Sequence, residues 1–150
     1  MTGFLLDTSV LSAFAPERKA TSPEISDWMT AQGEARTLYL SSITVAEVEK
    51  DICKLRRFGG IARADRLATW LDSLLSSFGD RLLAVDASVA RIAGAMEDTA
   101  VARGRHPGLA DVLIAATAQA HGLLLLTANG RHFEPLDIAH INPFESLPGE

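Results

Sequence analysis

The stretch Gly3-Phe4-Leu5-Leu6-Asp7-Thr8-Ser9-Val10-Leu11 decides how the chain is read. An apolar run too short for a helix stops at an acid and two hydroxyl residues, and Val10, Leu11 and Phe14 then recur at helical spacing. This predicts strand, turn, helix, with Asp7 at the carboxyl end of the strand. The same order returns further along. Thr37-Leu38-Tyr39-Leu40 is rich in strand formers and leads into a helical stripe of Val45, Val48, Ile52 and Leu55. Leu82-Leu83-Ala84-Val85 precedes Asp86 and a helix that turns Val89, Ile92, Ala93 and Met96 inward. Leu109 to Ala120 is nearly all apolar or small, which predicts a central buried helix. Leu123-Leu124-Leu125-Leu126 then reads as a fully buried parallel strand, and Ile138 to Ile141 as an edge strand.

Helical segments fill the intervals. Ser22-Pro23 has the form of an N-cap followed by a first-turn proline, before Ile25, Trp28, Met29 and Gln32 on one face. Gly59-Gly60 separates the stripe that ends at Leu55 from Leu67, Trp70, Leu71, Leu74, Leu75 and Phe78, which predicts a helical hairpin. Strands alternating with helices point to one domain over residues 1–150. The expected fold is a three-layer α/β/α arrangement with a central parallel sheet of about four to five strands and right-handed crossovers. Ligands of such sheets bind at the carboxyl ends of the strands.

Composition agrees with a folded domain: 150 residues, 47% hydrophobic and 22% charged. A chain of this length buries about 70% of its unfolded surface without a covalent staple. The single cysteine, Cys53, cannot form an intrachain disulfide, and its apolar surroundings predict a buried thiol in a reducing compartment. The opening Met1-Thr2-Gly3 lacks a basic leader, and no run approaches the ~20 apolar residues of a membrane span, so the expected location is cytoplasmic. A net charge of −5 is awkward for a nucleic-acid enzyme, because phosphate contacts call for lysine and arginine. The positive counterpart is expected from bound metal or from Lys50, Lys54, Arg56, Arg57, Arg63 and Arg66, set against only Asp51 and Asp65; the plainer reading of that segment is a solvated helix face.

Asp7 follows the first strand, Glu47 falls in the first turn of the next unit's helix, and Asp111 opens the buried helix, so all three are expected near one edge of the sheet. Singly, each has an ordinary explanation: Asp7 as N-cap, Thr44-Val45-Ala46-Glu47 as capping box, Asp111 as complement to a helix dipole. Jointly, three carboxylates clustered within about 4–5 Å repel by several kcal/mol per pair even at an effective dielectric near 20, and a cation relieves that. All-oxygen donors suit Mg²⁺, with Mn²⁺ as substitute, whereas Zn²⁺ calls for histidine or cysteine. His106, His121, His132 and His140 have no paired ligand spacing. Carboxylate-bound metal points to phosphodiester hydrolysis. A glycine-rich phosphate loop, a Gly-x-Ser-x-Gly elbow and a Cys-x-x-Cys pair are missing from the sequence, and Ser9 and Ser88 read as turn or cap residues.

With these residues in view, the chain resembles the PIN domain, and within it the bacterial VapC and FitB-like toxins. The likeness spans nearly the whole chain. It rests on Leu5-Leu6-Asp7-Thr8-Ser9-Val10-Leu11, Ser42-Ile43-Thr44-Val45-Ala46-Glu47, Ala110-Asp111-Val112-Leu113-Ile114-Ala115-Ala116-Thr117-Ala118, Thr127-Ala128-Asn129 with Phe133, and Ile141-Asn142-Pro143-Phe144. The resemblance implies that Asp7, Glu47 and Asp111 bind metal, with Thr8, Ser9 and Thr127 in support. Many relatives place a fourth acid where this chain has Asn129, which offers oxygen without charge and leaves the metal count at one or two. Glu134 and His132 are then secondary candidates, for the missing carboxylate and for a phosphate contact, while Asp86 and Asp98 read as cap and surface residues. The resemblance further implies a homodimer, an antitoxin partner whose tail reaches the acidic groove, and an RNA substrate such as tRNA or ribosomal RNA.

The expected function is therefore a Mg²⁺-dependent endoribonuclease toxin. The alternative is a weakly catalytic or non-catalytic dimer that binds operator DNA together with its antitoxin. A phosphatase or receiver domain fits poorly, because Asp7-Thr8-Ser9 lacks the second aspartate of the former and Thr127-Ala128-Asn129 lacks the lysine of the latter.

Overall fold

The computed structural model describes residues 3–149; Met1 and Thr2, part of the opening read above for a leader, lie outside them. In chain order the elements are β1 (Phe4–Leu6), α1 (Thr8–Ser12), α2 (Pro23–Glu34), β2 (Leu38–Ser41), α3 (Ser42–Arg57), α4 (Ile61–Phe78), β3 (Leu82–Leu83), α5 (Ala87–Ala102), α6 (Leu109–His121), β4 (Leu124–Leu126), α7 (Gly130–Phe133) and β5 (His140–Ile141). All strand pairs are parallel, in the order β3-β2-β1-β4-β5. β1 therefore lies at the centre, and helices cover both faces.

Alternation along β1 and β4 divides the core in two, because successive side chains of a strand point to opposite faces. Phe4, Leu6 and Leu126 enter a cluster with Val10, Val48, Ile52, Ala64 and Leu71 from α1, α3 and α4. Leu5 and Leu125 enter the other, with Val89, Ala93, Val112, Ile114 and Ala115 from α5 and α6. The three-layer arrangement expected from sequence is the one observed.

Register at the sheet's centre positions the site. Leu6 pairs with Leu126, so the residues that follow, Asp7 and Thr127, emerge side by side at the carboxyl edge. The Asp7 amide continues the ladder by donating to the Leu126 carbonyl at 2.9 Å, and the Thr127 amide donates to Ile141 at 3.0 Å.

Several local expectations need correction. β3 is two residues long, not four, because its partner β2 ends at Ser41, immediately before α3, and leaves Ala84 and Val85 nothing to pair with. Cys53 is exposed; the buried stripe of α3 runs through Thr44, Val48 and Ile52, and the next position rotates about 100° away from it. Ser41, not Thr44, caps α3, its hydroxyl accepting from the Ile43 amide at 3.1 Å. Glu47 thus sits in the second turn and no capping box forms. Helix α6 is buried over Val112 and Ile114–Ala118, but its first residue, Leu109, is 63% exposed. Ser22 and Asp86 do cap α2 and α5.

Candidate metal and nucleic-acid site

Asp7 is 5% exposed and held by three donors. Its Oδ1 accepts the Thr8 amide at 2.8 Å, and its Oδ2 accepts the hydroxyls of Ser9 and Thr127, both at 2.8 Å. Those hydroxyls in turn accept backbone amides from the loop after β4: Ala128 donates to Ser9 Oγ at 3.0 Å and Asn129 to Thr127 Oγ1 at 2.9 Å. The N-cap role considered for Asp7 is real, but it occupies only one of its oxygens. A carboxylate offers about four acceptor positions. Three are used here, and the one left open is on Oδ1.

Glu47 reaches the same place from α3. Thr8 Oγ1 donates to Glu47 Oε1 at 2.6 Å and lies 3.2 Å from the hydroxyl of fully buried Thr44. Sequence reasoning considered Thr44 only as part of a capping box and so missed this contact. It was legible in the spacing, since positions three apart share a helix face. Asp111 projects from the first turn of α6, its Oδ2 3.3 Å from Nδ1 of exposed His132 on α7. Burial pushes the Asp111 carboxyl above its ordinary range; the nearby His132 opposes this, while the negative charge of Asp7 adds to it.

Asp7, Thr8, Ser9, Ser12, Glu47, Asp111, Asn129 and His132 line one open cleft of about 380 Å³ at the carboxyl edge of the sheet. Ser12 had not been anticipated; it follows Thr8 by one turn of α1. Glu134 does not line this cleft but a neighbouring one with Asn129. Among the described residues, no three His, Cys, Asp or Glu side chains close into a ready metal-chelating group. The acids thus share a cleft but do not form the tight cluster expected from sequence. Like charges repel, and each acid takes a separate partner instead: the hydroxyls for Asp7, Thr8 for Glu47 and His132 for Asp111.

The sequence matches the PIN domain over residues 4–138. The chain belongs to the PIN-domain family. Within it, this PIN domain is 36% identical over 143 residues to the plasmid stability protein StbB of Pseudomonas syringae, covering 95% of this chain and 99% of that one. It is 33% identical to the VapC ribonuclease Y4jK of Sinorhizobium fredii, covering 94% and 97%. It is also 32% identical to the toxin FitB of Neisseria gonorrhoeae, covering 93% and 97%. A crystal structure of FitAcB from that organism superposes with a TM-score of 0.80 at 33% identity, over 94% of this chain and 98% of that one.

Proposed function

We propose that this PIN domain is a Mg²⁺-dependent endoribonuclease, the toxin of a toxin–antitoxin pair, acting in the cytoplasm as a homodimer restrained by its cognate antitoxin. One observation carries the reading: acids from the end of β1, from α3 and from α6, far apart in sequence, line a single cleft at the edge where parallel sheets bind ligands. Its relatives include proteins named as toxin and as VapC ribonuclease, which supports the same activity.

The donors suit Mg²⁺. Asp7 retains an acceptor position on Oδ1, and Glu47 and Asp111 each have one carboxylate oxygen without a hydrogen bond or ion pair among the described residues. Mg²⁺ keeps several waters and is commonly held by one or two carboxylates plus substrate phosphate, so a divided set of acids is compatible with it. Asp7, Glu47 and Asp111 would hold the ion, with Mn²⁺ able to replace it; when bound, it activates water and neutralises charge on a phosphodiester. The chain's own part is positional. Ser9 and Thr127 fix the Asp7 carboxylate, Thr8 fixes Glu47, and Asn129, tied by its backbone amide to Thr127, lines the cleft with a neutral side chain.

Purified, antitoxin-free protein incubated with total cellular RNA should give discrete cuts with Mg²⁺ or Mn²⁺ and none with chelator. Intact RNA under all three conditions would refute the reading and favour the DNA-binding alternative. Asn129→Asp, which adds a carboxylate at the cleft, should tighten Mn²⁺ binding by about tenfold in titration calorimetry, equivalent to about 1.4 kcal/mol. An unchanged affinity would place residue 129 outside the metal's reach.

A further inference from the structure

An enzyme of net charge −5 that acts on a polyanion needs its cations in one place. The basic segment from Lys50 to Arg66 is a poor candidate, because much of its charge is spent inside the protein. Arg56 binds Asp65 at 2.6 Å, while Arg66 and Arg63 converge on Glu17 at 2.5 and 3.9 Å. A second group of basic residues lies beside the cleft. Arg105 and His106, from the loop joining α5 to α6, and Arg131 and His132, from α7, line a recess of about 320 Å³ together with Gly108 and Asp111. The recess and the acidic cleft share Gly108, Asp111 and His132, so the two form one continuous trough. Arg105 and Arg131 are exposed, and among the described residues neither forms an ion pair. By contrast Arg103, two positions earlier, is bound to Asp137 at 2.7 Å.

We propose that this recess is the subsite that holds the RNA backbone on one side of the scissile bond, with Arg105 and Arg131 gripping phosphates of the strand as it leaves the acids. This inference rests on the ribonuclease reading above. A guanidinium presents a planar fork of donors that matches phosphate oxygens, and an exposed arginine without a protein carboxylate keeps those donors available. The recess is built for the backbone more than for the bases: its lining is basic, and no Phe, Tyr or Trp offers a broad stacking platform. An acidic peptide fits the trough less well, since its charges would have to pass Asp7, Glu47 and Asp111, whereas a phosphodiester is the group those acids act upon through their metal.

The test is binding of a fluorescein-labelled single-stranded RNA of mixed sequence to the full chain in chelator, followed by anisotropy across a salt series. Each phosphate contact to a single strand contributes about 0.7 to the slope of log affinity against log salt. Arg105→Ala combined with Arg131→Ala should therefore flatten the slope by about 1.4 and weaken binding similarly for unrelated sequences. Lys50→Ala combined with Lys54→Ala on α3 should leave it unchanged. An unaltered slope in the arginine pair, or an equal loss in both pairs, overturns the proposal. So does a loss confined to duplex DNA, which would assign the recess to DNA. Metal-dependent cleavage by the unmodified protein is measured in parallel. Cleavage with an unaltered slope removes the subsite and leaves the ribonuclease, whereas neither cleavage nor RNA binding removes both.

Discussion

Asp111→Asn is expected to lower metal-dependent RNA cleavage by about 10³-fold, since a metal's stabilisation of the transition state is worth several kcal/mol and each 1.36 kcal/mol is about tenfold in rate. The fold should not suffer. The one side-chain partner of Asp111 among the described residues is exposed His132, so the substitution leaves no buried donor stranded. It should in fact steady the metal-free protein at neutral pH. Burial raises the folded-state pKa of Asp111, so over the interval between the unfolded and folded values the native state binds more protons than the unfolded one. Stability from this group is thus fully present below the unfolded value and falls as pH rises through the folded one. Thermal melts without metal should show the variant equal to or above the parent at pH 7, with a shallower decline from acid to neutral pH. Adding Mg²⁺ should raise the melting temperature of the parent alone, because a ligand that binds only the native state stabilises it by mass action. A variant that cleaves normally would remove Asp111 from the chemistry.

Thr127→Val is expected to have the larger effect on stability. The fully buried hydroxyl accepts the Asn129 amide and donates to Asp7, so valine leaves that amide without its acceptor and withdraws one of the carboxylate's three donors. Withdrawing a donor from the buried Asp7 carboxylate costs about 1–3 kcal/mol, which at about 2–4 °C per kcal/mol for a chain of this size lowers the melting temperature by roughly 2–12 °C. Cleavage should fall as well, because Asp7 loses the contact that fixes its rotation. Thr127→Ser, which keeps the hydroxyl, should restore both. A valine variant that melts and cleaves like the parent would show that the hydroxyl does not link strand and loop.

Much of this arrangement is legible in the sequence, and for physical reasons. Asp7 could be placed because a short apolar run that stops at an acid has one sensible reading, and parallel sheets present ligand-binding residues at the carboxyl ends of strands. Asp111 could be placed because a helix as apolar as α6 has to lie against the sheet. What escaped depends on contacts between elements that no local pattern encodes. The turn occupied by Glu47 depended on whether Ser41 or Thr44 capped α3, and both are plausible caps. The approach of His132 to Asp111 depends on how α7 sits on α6. The pairing of the α4 cations Arg63 and Arg66 depends on Glu17, which adopts a positive φ of 69° in the loop after α1. That last contact matters most, for it pairs Arg63 and Arg66 within the chain where the sequence offered only Asp51 and Asp65 against them.

The hydrogen bond between Asp7 and Thr127 joins residues 120 positions apart, and this bears on the order of events during synthesis. A nascent chain that has emerged only through α5 already carries Asp7 and Glu47, but β1 still lacks β4 on one flank and Asp111 has yet to appear. Synthesis must pass β4 before the acids and their supporting hydroxyls can meet. A ribosome stalled before β4, or a message with a stop ahead of it, therefore yields a fragment in which the acidic cleft is left unbuilt.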